Sequence, residues 1–284
     1  MREVLLKLIE EKSNIPPLPD ILSRLESKIE DPKSNISDIA ILIETEPILA
    51  GRLIKLSNSV FFGGGREKVE HLHGAILRLG LKMILDLAYT LEIPQMFLKG
   101  NTLDQNKFWQ HSLAVAILAR QLSHRIEHFY TEPDLCYLAG LMHDIGILVF
   151  NYLIPQKYAS FLKEAHGRDH PLEEMEMKAF GIAHPEMGGL FIKKWWPVPE
   201  QVVSSVEKHY LRPSDKTKDH PVLLIVILAN SIANNYQMGH EISSYTEPVN
   251  SRFLEEVGVS KSTLEDIVEE TRDSLFTAKE VLYK

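Results

Sequence analysis

Residues 135–152 read Leu-Cys-Tyr-Leu-Ala-Gly-Leu-Met-His-Asp-Ile-Gly-Ile-Leu-Val-Phe-Asn-Tyr, a stretch that is apolar almost all round. A helix of that composition has no face to offer water, so the stretch predicts a central helix buried on every side. His143 and Asp144 stand side by side within it. A charged carboxylate buried without a partner is strongly unfavourable, so Asp144 requires a cation or dense hydrogen bonding. A bound metal answers that need; a buried His143–Asp144 hydrogen-bonded pair answers it too, and spacing alone leaves both readings open. His111, His184 and His209 are the further candidate ligands. A nitrogen-rich set with one carboxylate suits iron, zinc, manganese or nickel better than calcium or magnesium.

Outward from this segment, apolar residues recur at intervals of three and four nearly everywhere and strict alternation is scarce, which predicts an all-α fold. Beyond the loop Ile15-Pro16-Pro17-Leu18-Pro19, one expected helix carries Ile21, Leu22, Leu25 and Ile29 and stops before Asp31-Pro32. Asn35 is placed to cap the next, with Asp38 in its first turn. Pro47 opens a third whose apolar positions are Ile48, Leu49, Leu53, Ile54 and Leu56, ending near Asn58-Ser59 before the glycine turn Gly63–Gly65. Further helices are expected over about 72–91 and 108–126, and over 173–208 in two pieces broken at Trp195-Trp196-Pro197-Val198-Pro199. Val222 to Tyr236 is too long for a strand and reads as helix.

The chain has 284 residues, 44% hydrophobic and 25% charged, with a net charge of −8. The single cysteine, Cys136, excludes an intrachain disulfide and a cysteine-based zinc cluster. The acidic balance argues against sequence-independent nucleic-acid binding and against anionic membranes. The first twelve residues interleave charge and apolar groups at helical spacing, unlike a signal peptide, and the run Val222–Ala229 is far short of the ~20 residues that span a bilayer. A cytoplasmic protein without membrane or nucleic-acid partners is expected.

The order His111, His143-Asp144, His184-Pro185-Glu186-Met187-Gly188, His209 resembles the HD superfamily of metal-dependent phosphohydrolases. Pro16-Pro17-Leu18-Pro19, Glu46-Pro47-Ile48-Leu49, Leu56-Ser57-Asn58-Ser59 and Ala75-Ile76-Leu77-Arg78-Leu79-Gly80 resemble the N-terminal lobe of its bacterial relative, the HDOD family. Glu176 with Gly181 and His184, followed by Trp196 and Pro199, continues that pattern. The resemblance runs from about Asn14 to Tyr210 and implies an HDOD domain over 14–212 with a helical lobe (14–100) and an HD-like lobe (101–212); helical spacing outside it predicts an N-terminal helix over 1–13 and a helical extension over 213–284 packed on the HD-like lobe. The resemblance also implies that His111, His143 and Asp144 form one metal site. Asp144 would then bridge to a second metal on His184 and His209, with Glu176 as an extra ligand. In catalytic HD proteins such metals activate water against a phosphoester.

Three departures weaken that chemistry. HD-GYP-type cyclic-dinucleotide phosphodiesterases place a lysine where this chain has Ile147, and carry Gly-Tyr-Pro where His209 is followed by Tyr210-Leu211-Arg212-Pro213. The late aspartate that closes the first site corresponds to Asn230, whose amide brings no negative charge to a cation. The implied role is a bacterial regulatory module with a partly retained metal site and a regulatory protein partner or second copy. The alternative is a phosphohydrolase acting on a nucleotide or cyclic dinucleotide with Asp144 in the catalytic role.

Other features carry weaker signals. His124 with His128 and His166 with His170 are spaced four apart but lack the glutamate of a zinc-protease helix. Arg52, Lys55, Arg66 and Lys68 around Asn58 suit a phosphate or nucleotide ligand, or simply solvated helix edges. Trp195 and Trp196 are expected to plug a helix joint. Residues 213–284 hold twelve acids and seven bases, so this quarter carries −5 of the net charge, and its last segment, Ser262 to Lys284, is amphipathic.

Overall fold

The computed structural model of the protein describes all residues except 12–17, 59–67, 98–102, 127–130, 197, 240–241, 243–247 and 283–284. The Ile15–Pro17 part of the proline loop, Ser59, the turn Gly63–Gly65, Arg66, His128 and Pro197 therefore lie outside the described residues. The chain is 76% helical and the described residues contain no strand, so the fold is all-α as the hydrophobic period predicts.

The helices are α1 (Arg2–Glu10), α2 (Asp20–Glu30), α3 (Ile36–Glu44), α4 (Pro47–Ser57), α5 (Leu72–Leu79) and α6 (Leu81–Met96). There follow α7 (Gln105–Arg125), α8 (Pro133–Met142), α9 (Ile145–Leu153), α10 (Pro155–Ala165), α11 (Leu172–Phe180) and α12 (His184–Trp195). The last are α13 (Glu200–Lys208), α14 (Asp215–Lys218), α15 (Pro221–Asn235), α16 (Ser251–Glu256) and α17 (Lys261–Leu282). They form two compact units: Met1–Pro16 with Phe97–Arg272, and Pro17–Met96 with Asp273–Lys284.

In the smaller unit the local signals act as expected. Asn35 and Asp38 form a reciprocal capping box on α3, and Pro47 occupies the first turn of α4. Asn58 ends α4: its Nδ2 donates to the carbonyls of Ile54 (3.0 Å) and Val69 (2.7 Å), and its Oδ1 accepts from the Val69 N–H at 2.8 Å. That is a structural turn, and Lys68 beside it pairs with Glu70. Two expectations are corrected. Ile48 is 75% exposed, because the buried stripe Leu49, Leu53, Leu56 follows the 3.6 period and Ile48 lies about 100° off it. The single helix expected over 72–91 is two, because Gly80 at φ +81° leaves the helical region between α5 and α6.

The larger unit is built on α7, with α8 and α15 packed along it; α12 packs on α9 and α13, and α13 also meets α8 and α15. Close backbone approach sets this arrangement. A β-carbon on Gly140 would lie 2.9 Å from the Ala116 Cα, and one on Gly146 would overlap the His184 carbonyl oxygen. The central helix expected over 135–152 is broken in two: His143 keeps helical angles, but Asp144 at φ −98°, ψ 11° makes a turn between α8 and α9. The break has no proline or glycine at its centre, and Gly146 just beyond it packs directly against the backbone of α12. Residues 133–153 are long enough for a membrane span and their most apolar window has a mean hydropathy of 1.3, yet 83% of that window is buried inside the fold.

The expected break at Trp195–Pro199 is present and a second one separates α11 from α12, where Gly181 adopts φ +76°. Trp196 packs edge-on against Phe191 with centroids 4.9 Å apart, while the Trp195 Nε1–H donates to the Ile9 carbonyl at 3.0 Å. The pair does plug a joint. At the other end of α1, Arg2 donates to the Gly181 carbonyl at 3.1 Å and pairs with Glu186, so both ends of α1 are tied to the α12 segment.

Candidate metal centre

Four elements deliver one histidine each to Asp144. His111 comes from the interior of α7, His143 and Asp144 from the turn between α8 and α9, His184 from the first position of α12, and His209 from the C-terminal cap of α13. All five are buried. His143 and His209 orient themselves by the same local device, since each follows a helix whose last carbonyls lack intrahelical partners. Their Nδ1 atoms reach back three residues, to the Gly140 oxygen at 2.8 Å and the Val206 oxygen at 2.9 Å. His111 uses a distant acceptor, the Met238 oxygen at 3.2 Å, and Gly239 beside it at φ +126° leaves no room for a β-carbon against His111.

His184 begins a helix, where N–H groups rather than carbonyls are exposed, so no local acceptor stands behind its ring. Glu176 of α11 takes that place. Its Oε2 accepts from the His184 backbone N–H at 2.6 Å and from Nδ1 at 2.7 Å, and its Oε1 accepts from the Tyr158 hydroxyl at 2.5 Å. With both oxygens so engaged, Glu176 stands behind His184 and does not face the cluster as the extra ligand the resemblance implies.

With every Nδ1 held from behind, every Nε2 turns on Asp144, two to each oxygen. His143 and His111 lie 3.2 and 3.9 Å from Oδ2; His209 and His184 lie 3.2 and 3.5 Å from Oδ1. His111, His143 and Asp144 offer ligand atoms within 4.8 Å of one another, and so do Asp144, His184 and His209. Asn230 joins the first group, its Oδ1 being 3.1 Å from His111 Nε2 while accepting from Asn234 at 2.9 Å.

These contacts suit a cation. The His143 Nε2 is fully buried without a hydrogen-bond partner although a carboxylate oxygen lies beside it. His111 has an oxygen at each ring nitrogen, whereas a neutral imidazole carries one proton. A divalent transition-metal ion would accept those lone pairs; His111, His143 and Asp144 would hold it, with Asn230 beside them, or Asp144, His184 and His209. The donor set again favours transition metals over calcium or magnesium.

A cleft of about 370 Å³ opens onto Asp144, His111, His184 and His209. Its walls include Ile147, Glu173, Tyr210, Arg212, Asn230 and Ser231. Sequence reading missed Tyr158, Glu173 and the Met238 carbonyl; nothing in their local sequence marks them, because their relation to the histidines is purely spatial. Burial pushes the Glu173 carboxyl up, partly countered by nearby His184. His166 caps the end of α10, so it is not on one helical face with His170.

Burial favours neutral Asp144, but His143, His184 and His209 outweigh it and hold the carboxyl well below its usual range. Burial, reinforced by the nearby His143 and His184, lowers His209 despite Asp144. For His184 burial is overcome by Glu176 and Asp144, and its pKa rises to about 10. In the metal-free protein His184 is thus an imidazolium between two carboxylates. Its contribution to stability is complete below the ordinary value of 6.5 and is lost as pH climbs through about 10. Thermal melts of chelator-treated protein should show a midpoint falling across that window; a midpoint rising there would contradict the assignment.

Three comparisons bear on this arrangement. An uncharacterized protein of Treponema pallidum (strain Nichols) is 25% identical over 217 residues, 76% of this chain, which spans 42% of that relative's length. The crystal structure of an HDOD domain protein from Geobacter sulfurreducens, 24% identical, is similar with a TM-score of 0.74 over 98% of this chain and 94% of its own. Another from Shewanella amazonensis SB2B, described as a candidate phosphohydrolase, is 19% identical with a TM-score of 0.75 over 98% and 97% of the two chains. These likenesses show the fold. The HDOD domain model matches residues 15–211, most of the sequence, and the chain belongs to the HDOD family.

Proposed function

We propose that this chain is a bacterial signalling module that binds one or two divalent transition-metal ions at the His/Asp cluster. In this reading occupancy governs its engagement with a regulatory protein partner or a second copy. The observation that carries metal binding is the anchoring of all four imidazoles through Nδ1, which leaves four Nε2 atoms on one buried carboxylate. Bound metal would supply charge and Lewis acidity. His111, His143, Asp144, His184 and His209 would hold it, and Asn230 would weaken the Oδ2 side by bringing a dipole in place of a charge. Ile147 places an aliphatic wall in the cleft where a lysine would stabilise phosphate charge, which supports little or no turnover. Metal content of protein purified without chelator tests the site; less than one tenth of an equivalent of any transition metal, unchanged on adding Mn²⁺, Zn²⁺ or Fe²⁺, would refute it.

One observation favours a second reading. The cleft gives the cluster an opening to solvent and Arg212 stands in its wall, so a phosphohydrolase acting on a nucleotide or cyclic dinucleotide fits the same geometry. Assays of phosphomonoesters, nucleotides and cyclic dinucleotides with added Mn²⁺, Fe²⁺ or Ni²⁺ decide between them. Turnover above buffer that disappears in Asp144→Ala establishes the enzyme, and its absence with metal bound supports the regulatory module.

A further inference from the structure

We infer that Tyr158 and Glu176 are a positioning pair for one half of the metal centre, fixing His184 at the Oδ1 side of Asp144 without touching the Oδ2 side. This rests on the metal-binding reading above. Three of the four cluster histidines lean on neutral backbone carbonyls, two of which their own helices provide. His184 alone leans on a charge, and that charge is fully buried. An ionised carboxylate in such a place is retained only when its lone pairs are satisfied. Glu176 receives two donors from His184 and its third from Tyr158, whose ring is fixed by stacking on Phe150 at 4.9 Å and 8°. The hydroxyl thereby holds the carboxylate at the one angle from which Oε2 meets both the backbone N–H and Nδ1–H of His184. A carboxylate behind a ligand imidazole orients the ring and strengthens it as a donor more than a carbonyl does. The two halves of the centre are therefore unequal, and Tyr158 is the residue through which one can be altered separately.

The test uses the full chain, stripped with chelator and titrated with Co²⁺ by calorimetry and visible absorption. His143→Ala leaves the Oδ1 side to be read, and His209→Ala leaves the Oδ2 side. Adding Tyr158→Phe should weaken Co²⁺ binding about tenfold or more in the His143→Ala background, and less than about twofold in the His209→Ala background. Glu176→Gln is the second variant, should Tyr158→Phe fail to fold. Its amide oxygen can still accept from His184 and its NH₂ can donate to the tyrosine oxygen, so it keeps the shape, removes the charge and should give the same one-sided loss. Equal losses in both backgrounds would show a merely structural role, and no loss in either would show none; both overturn the inference. Wild-type protein that binds no Co²⁺ would overturn the metal reading itself, an outcome distinct from either.

Discussion

Asp144→Ala should abolish metal binding at both sides of the centre at once. Asp144 is the only residue shared by the two ligand groups, with Oδ2 facing His111 and His143 and Oδ1 facing His184 and His209. Its removal takes the sole carboxylate from both groups and leaves only neutral nitrogen pairs, plus the Asn230 amide on one side. Since loss of groups that merely support a ligand costs 10–100-fold in affinity, loss of this shared ligand should leave less than about one tenth of the wild-type metal content. The helices should survive, because the packing of α7 with α8 and α15 does not pass through the carboxylate. Elemental analysis beside far-UV circular dichroism checks both halves. Metal content unchanged in a folded Asp144→Ala protein would mean that the cluster is a buried hydrogen-bonded core. Asp144→Asn, which keeps the volume and one acceptor oxygen, should retain more metal than alanine and less than wild type.

Gly146→Ala should be the most damaging single-methyl change in the larger unit. The new carbon would fall on the His184 carbonyl oxygen and lie 2.8 Å from the Gly188 nitrogen, and neither can move as a side chain moves because both belong to the backbone of α12. Overpacking ordinarily costs about 1–3 kcal/mol; contact with backbone on both sides places this case at or above the top of that range. Against a total stability of about 5–15 kcal/mol, a large drop in thermal midpoint or loss of soluble protein is expected. Gly51→Ala supplies the control. Gly51 is exposed within α4 and an added β-carbon would meet nothing within 4 Å, so alanine there should stabilise by about 0.5–1 kcal/mol. Equal melting curves for Gly146→Ala and wild type would show that α9 and α12 do not approach as described. His184 sits at that contact, so the close packing of α9 on α12 also brings His184 towards Asp144.

The two variants mark how far local sequence reaches. Caps and helix formers were legible where they act within a few residues: Asn35 with Asp38, Pro47 and Asn58 all behave as their chemistry dictates. The turn at His143-Asp144 was not legible, because both flanking helices are buried all round and the apolar pattern runs through without interruption. Exposure of Ile48 was legible in principle, since strict application of the helical period separates it from Leu49, Leu53 and Leu56.

For the site, the identities of the five cluster residues follow from the sequence: a carboxylate in an apolar segment demands a partner, and the motif order supplies four histidines. Direction and function of each side chain are another matter. Glu176 stands behind His184 rather than on a metal, and Tyr158 and the Met238 carbonyl belong to the centre without any local mark. Local sequence determines which residues can be helical, capped or buried, because those preferences arise from neighbours along the chain. Only the tertiary structure decides which ring nitrogen faces the carboxylate, because the acceptor that holds the other nitrogen is supplied, for His111 and His184, by a different element of the fold.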